Sequence, residues 1–210
     1  MIGSAMNSSL PRLPLLSARL APHSAKARER ILAAAYDLFS RQGIRAVGID
    51  AIIEQSGVAK MTLYRHFESK EDLVLAFLEQ REMLWTTAWL QAEIERRAPG
   101  PRERLLAIFD VFGDWFQREG FEGCAFINVL LETSDADSSV RKATVAYLEK
   151  IRAFLRRLAA DAGVGDPDDF ARKWHILMKG AIVAAGEGDH AAGARARAVG
   201  ALLLAASLPP

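Results

Sequence analysis

The stretch GVAKMTLYRHFESK, residues 57–70, gathers side chains suited to binding a polyanion. Between Val58 and Lys70, the cations Lys60, Arg65 and Lys70 face Glu68 alone, and His66 can add charge near neutral pH. Ammonium and guanidinium groups neutralise phosphates, the hydroxyls of Thr62 and Tyr64 can hydrogen-bond to phosphate oxygens, and a helix N-terminus attracts an anion. On a helix, residues 60, 61, 64 and 65 share an outward face, while Leu63 and Phe67, four apart, turn inward. Arg65 or Lys60 could then hydrogen-bond to guanine edges and Met61 could touch a thymine methyl. The plainer reading is the solvated face of a short surface helix.

Other chemistry finds less support. The sequence holds no G-x-S-x-G, Walker glycine loop, H-E-x-x-H or G-x-G-x-x-G, so hydrolytic, nucleotide-binding and dinucleotide-binding signatures are missing. Cys124 is the single cysteine; it excludes an internal disulfide and reads either as a redox-sensing thiol or as an inert buried hydrophobe. His175 has no second histidine or carboxylate four residues away, which disfavours a metal site. The paired carboxylates Asp135/Asp137 and Asp168/Asp169 lie where N-capping explains them. No cofactor is implied.

Positioning these groups falls to helices. Apolar residues recur at helical spacing from Ala27 to Gly43, over Ile49 to Gly57, and through AKMTLYRHF, and Ser69 with Asp72 forms a capping-box-like start to the next helix. Downstream, helices are expected from Leu73 to about Arg97, Arg102 to Glu119, Ala125 to Glu132, Ser138 to Ala162, Pro167 to about Ala185 and Ala191 to about Ala206. No strand pattern competes, so the fold class is all-α. Residues 1–23, with three prolines, read as a flexible leader. Half of the 210 residues are hydrophobic, and 27 Lys+Arg balance 26 Asp+Glu, so any nucleic-acid partner must be met by a local patch. No run is long and apolar enough for a membrane span, and a cytoplasmic location without membrane contact is expected.

Two short helices joined by a Gly-Val turn, the second basic and aromatic, are the pattern of a helix-turn-helix. Through GVAKMTLYRHFESKEDLV, residues from about 28 to 80 resemble the N-terminal domain of the TetR-type transcriptional regulators. Tyr64, Arg65, Phe67, Ser69, Lys70 and Leu73 match the family's pattern. By that resemblance Lys60, Met61, Thr62, Tyr64 and His66 occupy recognition-helix positions, with Arg65 beside them, and Lys70 takes the place of a lysine that holds phosphate. Gly48 and Ala59 stand where hydroxyl caps are frequent in the family, and Asp50 puts a carboxylate where a basic residue is common.

The resemblance implies three parts: the leader, an N-terminal three-helix helix-turn-helix DNA-binding domain over 24–72, and a C-terminal helical ligand-binding and dimerisation domain over 73–208. It implies a repressor of a palindromic operator on double-stranded DNA, released by an unknown small-molecule effector. The homodimer would form through the last two helices, where Ala181, Ala184, Ala185, Ala194, Ala198, Leu202 and Ala205 allow close approach. For the effector, Trp115, Phe126, Asn128, Trp174, His175 and Met178 are the candidate lining residues, with core packing as the alternative for each. Two other functions remain open: an all-α ligand-binding or interaction protein without DNA binding, and a small helical enzyme using a group such as His175 or Glu132.

Overall fold

Ile31, Ala34, Ala35, Leu38 and Phe39 fall on one stripe of α1 (His23–Gln42), and all five are buried in the computed structural model, which describes residues 23–209. The leader expected over 1–23 lies, but for its last residue, outside them. Every element among the described residues is helical.

Against α1 pack α2 (Ile49–Ser56) and α3 (Lys60–His66), anchored by Ile52 and Leu63, both fully buried. Between α2 and α3 the chain turns at Gly57, whose φ of 61° and ψ of 33° are left-handed. The Gly57 N–H donates to Ile53 O, and Arg30 from α1 donates to the carbonyls of Ser56 and Gly57. A Cβ at Gly57 would stand 2.8 Å from the end of the flexible Arg30 side chain, which can shift, so it is the left-handed conformation that calls for glycine.

Ser69 starts α4 (Lys70–Arg81) with a complete capping box. Its hydroxyl accepts from the Asp72 N–H at 3.1 Å, and the Asp72 carboxylate accepts from the Ser69 N–H at 3.0 Å. Phe77 on α4 meets Tyr36 and Phe39 of α1 edge-on at 5.4 and 5.6 Å. The helix then continues through a π-helical segment (Glu82–Leu90) into α5 (Gln91–Arg97), so one rod runs from the turn after α3 to residue 97. The spacing predicts a helix from Leu73 to about Arg97, and the structure keeps it helical with a wider winding over Glu82–Leu90. Trp85 of this segment packs on Trp115, Phe112 and Trp89, a cluster of large rings that short-range periodicity does not announce.

Pro101 opens α6 (Pro101–Phe116), as its fixed φ favours, and Leu105, Ile108, Phe109, Val111, Phe112 and Trp115 bury one broad face. α6 ends three residues before the expected Glu119. There the Arg118 N–H donates to Trp115 O, tightening the last turn, and Phe121 folds back to 4.9 Å from the Trp115 ring and 5.2 Å from Phe116. Four helices complete the chain: α7 (Ala125–Glu132), α8 (Ser139–Asp161), α9 (Pro167–Gly186) and α10 (Ala192–Ser207). Ser138 and Asp166 cap α8 and α9. α10 lies so close to α6 that a Cβ at Gly193 would come within 2.8 Å of the Gly113 backbone, and one at Gly200 within 2.9 Å of Phe109 and Trp174.

Candidate nucleic-acid interface

α3 presents its two faces as its sequence requires. Leu63 and Phe67 are buried at 0% and 4% exposure, while Met61 and Tyr64 are exposed at 75% and 41%. Lys60 and Arg65 are exposed beside them; Thr62 and His66 are half-buried at the flanks. Met61 and Tyr64, three residues apart, thus present apolar surface beside the cations on the same outward face.

Neither α2 nor α3 has a side-chain cap: Gly48 and Ala59 precede them in extended conformation with no hydroxyl to offer. The free N–H groups at both starts remain available to an anion. Asp50, in the first turn of α2, lies 3.7 Å from the Lys60 Nζ. Both groups are well exposed, so the pair is weak, but it draws on the charge of a lysine that faces outward.

Lys70 begins α4 next to the capping box and is half-buried. Burial lowers the pKa of its ammonium from the ordinary lysine value, and the Glu132 carboxylate opposes that fall. Glu132, at the end of α7, also accepts a hydrogen bond from the Arg45 N–H at 2.7 Å and overlies Gly43, where a Cβ would meet its Oε1 at 2.5 Å. Gly43 has φ 82°. Two further contacts join the same parts of the chain: Arg41 Nε lies 3.8 Å from Glu122, and the Ser139 hydroxyl donates to Glu71. Nothing in the periodicity pointed to Glu132 or to Arg45, because a backbone donor in a turn leaves no mark in the sequence.

The six candidate lining residues are spread over several packing clusters. Trp115 belongs to the aromatic cluster with Trp85 and Phe112. Phe126 stacks on Tyr147 at 5.4 Å, and Trp174 stacks on Phe170 at 5.0 Å and meets Phe109 at 5.2 Å. Met178 and His175 are each 4% exposed. Asn128 alone of the six lines an open cleft, of about 770 Å³, between the end of α1 and the loop from Glu119 to Glu122; its Nδ2 donates to Glu122 O. Burial raises the Cys124 thiol pKa, against the backbone N–H groups of Ile127 and Phe126, which favours the protonated, weakly nucleophilic form. Among the described residues no group of three His, Cys, Asp or Glu is placed to hold a metal, and no helix is long and apolar enough to cross a membrane.

Comparison with known proteins agrees with this architecture. The profile described as "Bacterial regulatory proteins, tetR family" matches residues 31–77, and that described as "Tetracyclin repressor-like, C-terminal domain" matches residues 101–199. A TetR-family transcriptional regulator from Streptomyces coelicolor superimposes with a TM-score of 0.78 at 29% identity, over 88% of this chain and 97% of that one. A tetR-type regulator from Streptomyces avermitilis gives a TM-score of 0.75 at 30% identity, over 86% and 97%. The transcriptional activator FasR of Mycolicibacterium smegmatis is 30% identical over 132 residues, 62% of this chain and 59% of that protein. A helix-turn-helix regulator of Lactococcus lactis subsp. lactis is 27% identical over 135 residues, 64% and 66%. The chain thus aligns with less than two thirds of the length of these last two relatives.

Proposed function

Since the chain belongs to the TetR family of bacterial regulatory proteins, we propose that it is a homodimeric, sequence-specific DNA-binding regulator that represses transcription until a small molecule releases it. The observation that carries this reading is the outward face of α3, where Lys60, Met61, Tyr64 and Arg65 stand exposed above the buried Leu63 and Phe67.

Lys60 and Lys70, with the uncapped starts of α2 and α3, hold phosphates and set the register; Arg65 and Tyr64 read base edges. A second copy places its reader about 34 Å away, one turn of duplex, which fits a palindromic operator. Ile176 and Val183 on α9, and Val199 and Leu202 on α10, support a dimer through these helices. They are 51–74% exposed and form the apolar surface a second chain would cover. DNA and effector favour different arrangements of the same dimer, so each weakens the other's binding by the same factor. The continuous rod from Lys70 to Arg97, together with Glu132, links the two ends of that equilibrium.

Selection of bound fragments from random duplex DNA tests this. Recovery of a common inverted repeat is the expected result. Recovery of no shared sequence, with no salt-dependent binding, would favour a helical ligand-binding protein instead.

A further inference from the structure

Between the π-helical segment and α8 runs a groove of about 220 Å³, walled by Glu82, Thr86 and Gln91 on one side and by Lys150, Phe154 and Arg157 on the other. The winding of the backbone makes the first wall. The Gln91 N–H donates to Thr86 O, five residues back, which is the wide turn of a π-helix. In an α-helix, residues nine apart point to opposite sides; at about 4.4 residues per turn they return to the same side. Glu82, Thr86 and Gln91 therefore share a face only because the helix widens there.

Thr86 is 9% exposed, and its Oγ1 has no hydrogen-bond partner. A buried hydroxyl left unsatisfied is unfavourable, and Thr86 is one of the residues that line the groove. On α8 the residues of the second wall recur four and three apart, again one face. The charged ends of this wall lie along rings: Lys150 Nζ is 4.8 Å from the Tyr147 ring centre, and the Arg157 guanidinium carbon is 5.9 Å from that of Phe154. Among the described residues neither cation forms an ion pair with a carboxylate. The groove thus offers an aromatic wall, a hydroxyl with unused hydrogen-bonding capacity, and two cations against one carboxylate.

We propose that this groove binds a small amphipathic carboxylate. Lys150 and Arg157 attract its anionic group, Phe154 takes its apolar body, and the Thr86 hydroxyl hydrogen-bonds to its polar end. In the regulator, and resting on that functional reading, such a ligand is the effector: by favouring π winding it sets the rotation of the Lys70 end of the rod against the Arg97 end.

The test uses the full chain without DNA and follows tryptophan fluorescence, to which Trp85 and Trp89 of the same segment contribute alongside Trp115 and Trp174. The probes are phenylacetate, phenylacetamide and phenethylamine, alike in ring and differing in charge. Phenylacetate is expected to bind about tenfold more tightly than the other two, a ratio that two exposed ion pairs can supply. The exposed double variant Lys150→Ala/Arg157→Ala should lose that preference, and Thr86→Val should weaken phenylacetate several-fold with unchanged helix content. Equal binding of the three probes, no binding up to about 10 mM, or a preference that survives the double variant overturns the site. A second titration on duplex-bound protein separates the two readings: release of DNA by phenylacetate supports the effector role. Binding in the groove with DNA retained overturns that role and leaves DNA binding standing.

Discussion

Glu132, the last residue of α7, accepts a hydrogen bond of 2.7 Å from the backbone N–H of Arg45, in the turn between α1 and α2. The same carboxylate lies over Gly43 of that turn and opposes the lowering of the Lys70 pKa, so one side chain contacts the α1–α2 turn and acts electrostatically on the start of α4. Its two roles can be separated. Glu132→Gln keeps an acceptor for Arg45 and removes the charge beside Lys70. It should leave thermal stability nearly unchanged and tighten operator binding about two- to fivefold at low salt, a gain that disappears at high salt. Glu132→Ala also removes the acceptor and should cost about 1 kcal/mol of stability. Anisotropy titration and thermal unfolding of the two variants check this, and identical behaviour of both would deny Glu132 either role.

Asp50 and Lys60 form an exposed pair at 3.7 Å on the proposed DNA face. On approach to a duplex, the carboxylate repels phosphate and holds back the lysine. Asp50→Asn should therefore raise affinity for every sequence and steepen the salt dependence by up to about one counterion. If Asp50 instead accepts from a cytosine amine, the substitution weakens binding to particular sequences only, and a panel of duplexes tells these apart.

Much of this was legible in the sequence, and the reasons are local. The Ser69/Asp72 capping box, the glycine turn at Gly57 and the inward Leu63 and Phe67 depend on neighbours within four residues, so spacing alone reveals them. What was not legible depends on residues distant along the chain. Ala194, Ala198, Leu202 and Ala205, named from spacing for a dimer face, are exposed on α10, whereas its inner face admits α6 of the same chain at Gly193 and Gly200, which spacing did not reveal. The widening at Glu82–Leu90 occurs where Trp85 and Trp89 pack among large rings, and a fixed period of 3.6 cannot express it. The ring contacts of Trp115, Phe126 and Trp174 join residues distant along the chain or on neighbouring turns, and composition cannot distinguish a ring that meets a ligand from one that meets another ring.

Leu202 is 74% exposed and Val199 52%, one turn apart on α10. Leu202→Glu would place a carboxylate in the proposed dimer interface without touching the core of the protomer. Sedimentation should show a monomer at micromolar concentration with normal helix content, and operator affinity should fall at least about tenfold because two readers no longer bind as a unit. A dimer that persists places the interface elsewhere.

His175 is buried, its Nδ1 has no hydrogen-bond partner, and its pKa is brought down to about 3 by burial, with repulsion from Lys179 and Arg152 adding to the effect. Its folded value lies below its unfolded value, so the unfolded chain takes up the proton first. The stability it contributes is complete above about pH 6.5 and is lost as pH falls toward 3. Urea unfolding between about pH 7 and pH 4 should show wild-type stability falling more steeply than that of His175→Gln, by up to about 1.4 kcal/mol per pH unit. Parallel curves would mean that His175 titrates normally in the folded chain.

The central claim is that α3 and the start of α4 hold a duplex by phosphate neutralisation and read it through neighbouring side chains. Affinity for a selected operator and for an unrelated duplex, measured as a function of salt, tests it most directly. Lys60→Ala and Lys70→Ala should each weaken binding to both duplexes and reduce the salt slope by about 1, whereas Tyr64 and Arg65 substitutions should change which duplex is preferred. Affinities and slopes unchanged by all four substitutions would contradict the account.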